Sequence, residues 1–96
     1  MKPKKKFSLT EARALGERLG IKWDEVELKE FHRGLAVELE HGSRDPETDV
    51  THNDPTLTAK IAWAHLKEFP DYYTRLDQLE AEAERFWTKR RRAAGR

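Results

Sequence analysis

Leu9, Ala12, Leu15 and Leu19 recur at helical spacing with charged positions between them, which predicts a first helix with one apolar face. Ser8 and Glu11 have the spacing of a capping box at its start, and Gly20 suits a left-handed stop after Leu19. Ile21 and Trp23 form an apolar connector. Asp24 and Glu27 offer a second capping box before a helix that is established by Leu28. In this second helix Leu28, Phe31, Leu35 and Leu39 make one stripe, and Gly42 is the expected stop after His41. Gly34, Val37 and His41 share another side, where the bare Gly34 invites close approach of a second backbone. The segment from Ser43 to Asp54 is rich in turn formers and long for a connection in so small a chain. Asp54 followed by Pro55 predicts an N-cap with proline at N1, and the third helix runs to about Phe69. Pro70 interrupts the pattern and fits the first position of a fourth helix, with Asp71 at its positive end. Tyr72, Leu76, Leu79, Ala83 and Phe86 then recur at spacings of four and three, a heptad-like seam, and residues 90–96 are expected to fray.

The pattern predicts an all-α, compact single domain of about four helices with a long acidic loop between helices two and three. The expected core is Phe31, Leu35, Leu39, Leu57, Ile61, Leu76 and Leu79. At 96 residues, 36% hydrophobic and 39% charged, the chain makes one domain with a lean core, a condition that favours self-association. Charge divides it further. All 18 acidic residues lie between Glu11 and Glu84, whereas nine of the 19 basic ones lie at the two ends. The division reads as a basic tail over 1–7, a helical domain over 8–88 and a second basic tail over 89–96. Such tails can engage nucleic acid or an acidic partner, and more often they simply solvate the ends of a chain. No apolar run approaches the ~20 residues needed to span a bilayer, and no signal-peptide pattern follows the first lysines, so a cytoplasmic protein without membrane contact is expected. A single Asn and a single Gln beside abundant Arg and Glu resemble the composition of proteins that work hot.

Chemistry concentrates between Gly34 and Tyr73. On the third helix Leu57, Ile61, Ala64, His65 and Glu68 fall on one stripe, so a histidine and a carboxylate share the face of the aliphatic residues. A carboxylate there requires a partner. Two readings follow. In the first, Glu38, His41, His65, Glu68 and Asp71 form a structural polar network that locks helices two, three and four in register, with Glu68 taking amides of the fourth helix or a tyrosine hydroxyl. In the second, Glu38 and His41, at i and i+3, and His65 and Glu68, at i and i+3, bind a divalent metal. Because the chain has no cysteine, such a metal is Zn, Fe or Mn held by nitrogen and oxygen. His32 and His52 are weaker candidates. The loop carboxylates Asp45, Glu47, Asp49 and Asp54 lack the glycine and terminal glutamate of an EF-hand and read as surface acidity. A His-carboxylate general base has no nucleophile or oxyanion hole at a telling spacing.

The chain resembles a family of bacterial and phage proteins known as a domain of unknown function, number fifty-six sixty-one, over about Phe31 to Leu79. Three stretches carry the resemblance: Gly34 to Gly42 (GLAVELEHG), Asp45 to Thr51 (DPETDVT) and Lys60 to Tyr73 (KIAWAHLKEFPDYY). Trp63 and Ala59 stand where an aliphatic residue and a glycine are expected. The resemblance implies a small helical protein or module and no particular reaction, and the basic tails lie outside it. These observations together predict a non-enzymatic binding or assembly module, a homo-oligomer or one bound to another protein, with a metalloprotein as the alternative.

Overall fold

A computed structural model describes residues 6–94, which form four helices: α1 (Leu9–Leu19), α2 (Leu28–Arg44), α3 (Pro55–Glu68) and α4 (Tyr72–Ala94). Helix α2 is central. It packs against α1, α3 and the first turns of α4, and its Phe31, Leu35 and Leu39 are buried at the middle of the core. Each such side chain is worth about 1.5–3 kcal/mol of apolar transfer.

Local chemistry sets the helix ends. The Ser8 hydroxyl accepts from the Glu11 amide at 3.0 Å while Glu11 accepts from the Ser8 amide at 2.9 Å, completing the capping box. Gly20 closes α1 at φ 86°, a conformation that costs a side-chain-bearing residue strain. Asp54 accepts from the Leu57 amide at 2.9 Å and Pro55 opens α3. By contrast, residues 23–26 are a turn and α2 begins after Glu27 without a side-chain cap, so the second capping box does not form.

Three further boundaries differ from the sequence pattern. Gly42 does not stop α2, which continues to Arg44; its missing side chain admits Thr51, whose Oγ1 would lie 2.6 Å from a Cβ there. Pro70 lies in a turn, and α4 begins at Tyr72. Helix α4 continues through 90–94 where fraying is expected, with residues 95 and 96 outside the described range. At the other end Phe7, grouped by charge with the basic tail, is buried, and its carbonyl accepts from His32 Nε2 at 2.8 Å.

The core also departs from the expected one. Leu57 and Leu79 are exposed, and Ile61 and Leu76 only half-buried. Helix α3 turns its Thr58, Ala59, Ala62 and Leu66 side to α2, because small residues let two helices approach closely while the larger aliphatic stripe stays at the rim. Buried Thr58 is satisfied by donating to the Asp54 carbonyl at 2.7 Å. Aromatic rings then fill two glycine positions. Trp23 lies on Gly16 of α1, and Tyr73 lies on Gly34 of α2, so the close approach at Gly34 is made by a ring and not by a backbone.

The acidic loop is ordered by its own carboxylates. Asp45 Oδ1 accepts from the Glu47 amide at 3.0 Å and Asp49 Oδ1 from the His52 amide at 2.8 Å, supporting the left-handed His52 and Asn53. Ser43 Oγ donates to the Leu39 carbonyl at 2.7 Å.

Helix α4 is the outlier in shape. Its 23 residues extend about 34 Å. Tyr73 is its one buried residue, and from Asp77 to Ala94 every residue except Thr88 is exposed. The radius of gyration is 15.4 Å, against about 12.5 Å for a compact chain of this length, because this helix projects as an arm.

Candidate functional site

The second half of α2, the end of α3 and the start of α4 enclose a groove of about 510 Å³, with Val37, Ile61 and Leu76 on its apolar walls and Glu38, His41 and His65 among its polar ones. Glu38 on its wall accepts at Oε2 from the Tyr73 hydroxyl at 2.7 Å. The same oxygen lies 3.7 Å from His65 Nε2, and His65 Nδ1 lies 3.6 Å from Glu68 Oε1. The Glu38 side chain is 11% exposed, that of His65 31% and that of Glu68 72%. Tyr72 stacks on the His65 ring, with centroids 4.2 Å apart and planes 12° apart. Burial, and next the Glu38 carboxylate it binds, push the Tyr73 phenol far above its ordinary range, so it stays a donor at any ordinary pH.

Helix geometry explains this convergence. Gly34 and Glu38 are four residues apart and share one face of α2. The Tyr73 ring rests on the first, and its hydroxyl reaches the second. Two further contacts reinforce it, both on the N-terminal side of Gly34 on α2 and the C-terminal side of Tyr73 on α4. Glu30 Oε1 accepts from the Thr74 amide at 2.8 Å, capping an otherwise orphan donor in the first turn of α4, and Arg33 pairs with Asp77.

The five residues singled out from the sequence therefore separate. Glu38, His65 and Glu68 come together. His41 lines the groove but is exposed and makes no hydrogen bond or ion pair with them. Asp71 pairs with Arg75 at 2.9 Å, outside the cluster. Glu68 caps no amide of α4 and binds no tyrosine; Glu30 and Glu38 take those roles. The stripe that places His65 beside Ile61 is real, but it faces the groove and not the core. His32 and His52 lie elsewhere, the one on Phe7 and the other beside Asp49 at 3.4 Å.

The sequence reading gives Tyr73 no role of its own and does not single out Glu30. Apolar periodicity groups Tyr72 with Leu76 and gives Tyr73 no role, although Gly34 followed four residues later by Glu38 marks the seat for a ring with a polar tip. Nothing in the spacing of Glu30 marks it as a cap for a helix 44 residues away.

Both nitrogens of His65 face carboxylate oxygens, an arrangement suited to holding an oriented imidazole or an imidazolium. Among the described residues no group of three or more His, Cys, Asp or Glu side chains is placed to hold a metal ion. Among the described residues, the walls of the groove carry no Ser, Thr, Cys or Lys. No helix among the described residues is long and apolar enough to cross a membrane.

Comparison with known proteins gives a family without an activity. No curated protein and no solved structure matches the chain. One family model, described as Protein of unknown function (DUF5661), matches residues 12–82, which takes in the whole Glu38, His65 and Tyr73 cluster and ends before Phe86. The chain, itself all-α, belongs to this family of unknown function.

Proposed function

We propose that the protein is a non-enzymatic assembly module, in which a packed body of three helices presents the second half of α4 to another copy of the chain. One observation carries the reading: Leu79, Phe86 and Trp87, on the projecting arm, are 59%, 50% and 55% exposed. With Leu76 and Ala83 they continue a seam at spacings of three and four, the pattern by which helices pair. A helix that packs only on its own body has no use for that continuation. Off the arm, Trp63 is half-buried with the Lys67 ammonium 4.1 Å from its ring centroid, and Phe69, 44% exposed, has the Arg75 guanidinium 4.0 Å from its own, which leaves the arm as the better surface.

The polar cluster serves this reading as an anchor. Tyr73 to Glu38, Thr74 to Glu30 and Asp77 to Arg33 fix the direction in which α4 leaves the body. The test is light scattering coupled to gel filtration from micromolar to millimolar chain. The native chain is expected to move from monomer to dimer over that range. Phe86→Glu with Trp87→Glu is expected to stay monomeric at an unchanged melting temperature, since neither residue touches the body. A native chain that is strictly monomeric at millimolar concentration refutes the proposal.

A further inference from the structure

Resting on that self-association, we infer that the two arms pair antiparallel, in a register set by charge. Residues 79–84 contain Glu80, Glu82 and Glu84 and no base, whereas residues 85–92 contain Arg85, Lys89, Arg90, Arg91 and Arg92 and no acid. Among the described residues none of these side chains has an ion-pair partner. The helix dipole accounts for Arg91 and Arg92 in the last turn but not for the rest of the division, because its influence falls off within the first and last turns and the three glutamates, Arg85 and Lys89 lie further in. Local pairing does not account for it either. Glu80 with Glu84 and Arg85 with Lys89 are like charges at i and i+4, an unfavourable spacing within one helix.

A second copy resolves both. Turning one arm end for end about the point between Glu84 and Arg85 lays the acidic half of each against the basic half of the other. It also sets Ala83 of each copy opposite Phe86 of the other, small against large, which close packing favours. A parallel pair would align acid with acid and base with base along the whole seam, and like charges in register are destabilising. Taking Leu76, Leu79, Ala83 and Phe86 as the seam places Glu82 and Lys89 at equivalent flanking positions of successive heptads, and such positions meet each other only when the helices run in opposite directions.

Charge exchange tests the orientation. Dissociation constants are measured by sedimentation at low and high salt for the native chain, Glu82→Lys, Lys89→Glu and the double variant. Each single exchange turns two attractive pairs repulsive and is expected to weaken the dimer about tenfold or more at low salt, an effect that shrinks at high salt. The double variant is expected to return to within about threefold of native. A native dimer that Phe86→Glu abolishes, but in which the double charge variant binds no more tightly than the single exchanges, overturns the antiparallel register while leaving self-association standing. A strict monomer overturns both. A monomer whose basic half instead binds a labelled single-stranded oligonucleotide, with affinity falling steeply in salt, assigns the arm to nucleic acid and likewise overturns the inference.

Discussion

Replacing Gly34 by alanine should destabilise the protein, although helix propensity alone gives the opposite sign. Gly34 is interior to α2, where alanine is favoured over glycine by up to about 1 kcal/mol. Against that, a Cβ built at residue 34 overlaps Cε2 of Tyr73 and lies 2.9 Å from its Cδ2 and Cζ. Flexible side chains move aside cheaply, but this ring is rigid, wholly buried and tied through its hydroxyl to Glu38. Relief therefore requires α4 to move off α2, which strains the Glu30 and Arg33 contacts as well. Overpacking of this kind costs about 1–3 kcal/mol net. In a domain of this size that lowers the melting temperature by roughly 4–20 °C. Urea titrations of Gly34→Ala followed by far-ultraviolet circular dichroism measure the loss. Repeating the substitution in a Tyr73→Leu background removes the overlap, and there Gly34→Ala should become stabilising. If Gly34→Ala raises stability with Tyr73 intact, the ring does not sit where the packing argument requires it.

Two further tests address the cluster. Tyr73→Phe leaves Glu38 without its donor and should cost about 1.5–3 kcal/mol near neutral pH. It should also alter the alkaline limb. Because the folded phenol is raised above its unfolded value of about 10, its contribution is fully present below pH ~10 and lost as pH rises beyond it. The native chain should thus lose stability more steeply than Tyr73→Phe in that window, and parallel limbs would argue against the buried hydrogen bond. For metal, equilibrium dialysis against micromolar zinc should give well under one equivalent per chain, unchanged in His41→Ala. One tightly held equivalent that disappears in both His41→Ala and His65→Ala would overturn the structural assignment of the cluster.

Much of the fold is legible because its signals are local. The Ser8 and Glu11 box, the left-handed Gly20 and the Asp54-Pro55 start each depend on a few neighbouring residues, and each forms as the spacing predicts. Where the outcome depends on what a segment packs against, sequence pattern fails. Helix α3 offers an aliphatic stripe at Leu57 and Ile61 and a small-residue face at Ala59 and Ala62, and α2 takes the second because it permits closer approach. Gly42 reads as a stop, but it continues the helix because Thr51 folds back onto it. At the site, Glu38, His65 and Glu68 share a cluster as their helical positions suggest, whereas His41 at the same spacing does not join it. Its register on α2 places it along the groove wall, where no side chain of α3 or α4 reaches across to bond it.

The Glu30 cap on Thr74 has a kinetic consequence. In the first turn of α4 the Thr74 amide is bonded by a carboxylate from 44 residues earlier in the chain, so it is protected only while α2 is in place. Its hydrogen exchange should follow opening of the whole body. Among the described residues beyond 80 no side chain bonds to another helix, and a helical stretch of about 14 residues is marginal by itself in water. Within a monomer the arm thus opens and closes as its own cooperative unit, hinged on a start that stays fixed. Binding to a second copy would slow exchange in that distal unit alone and leave the body unchanged.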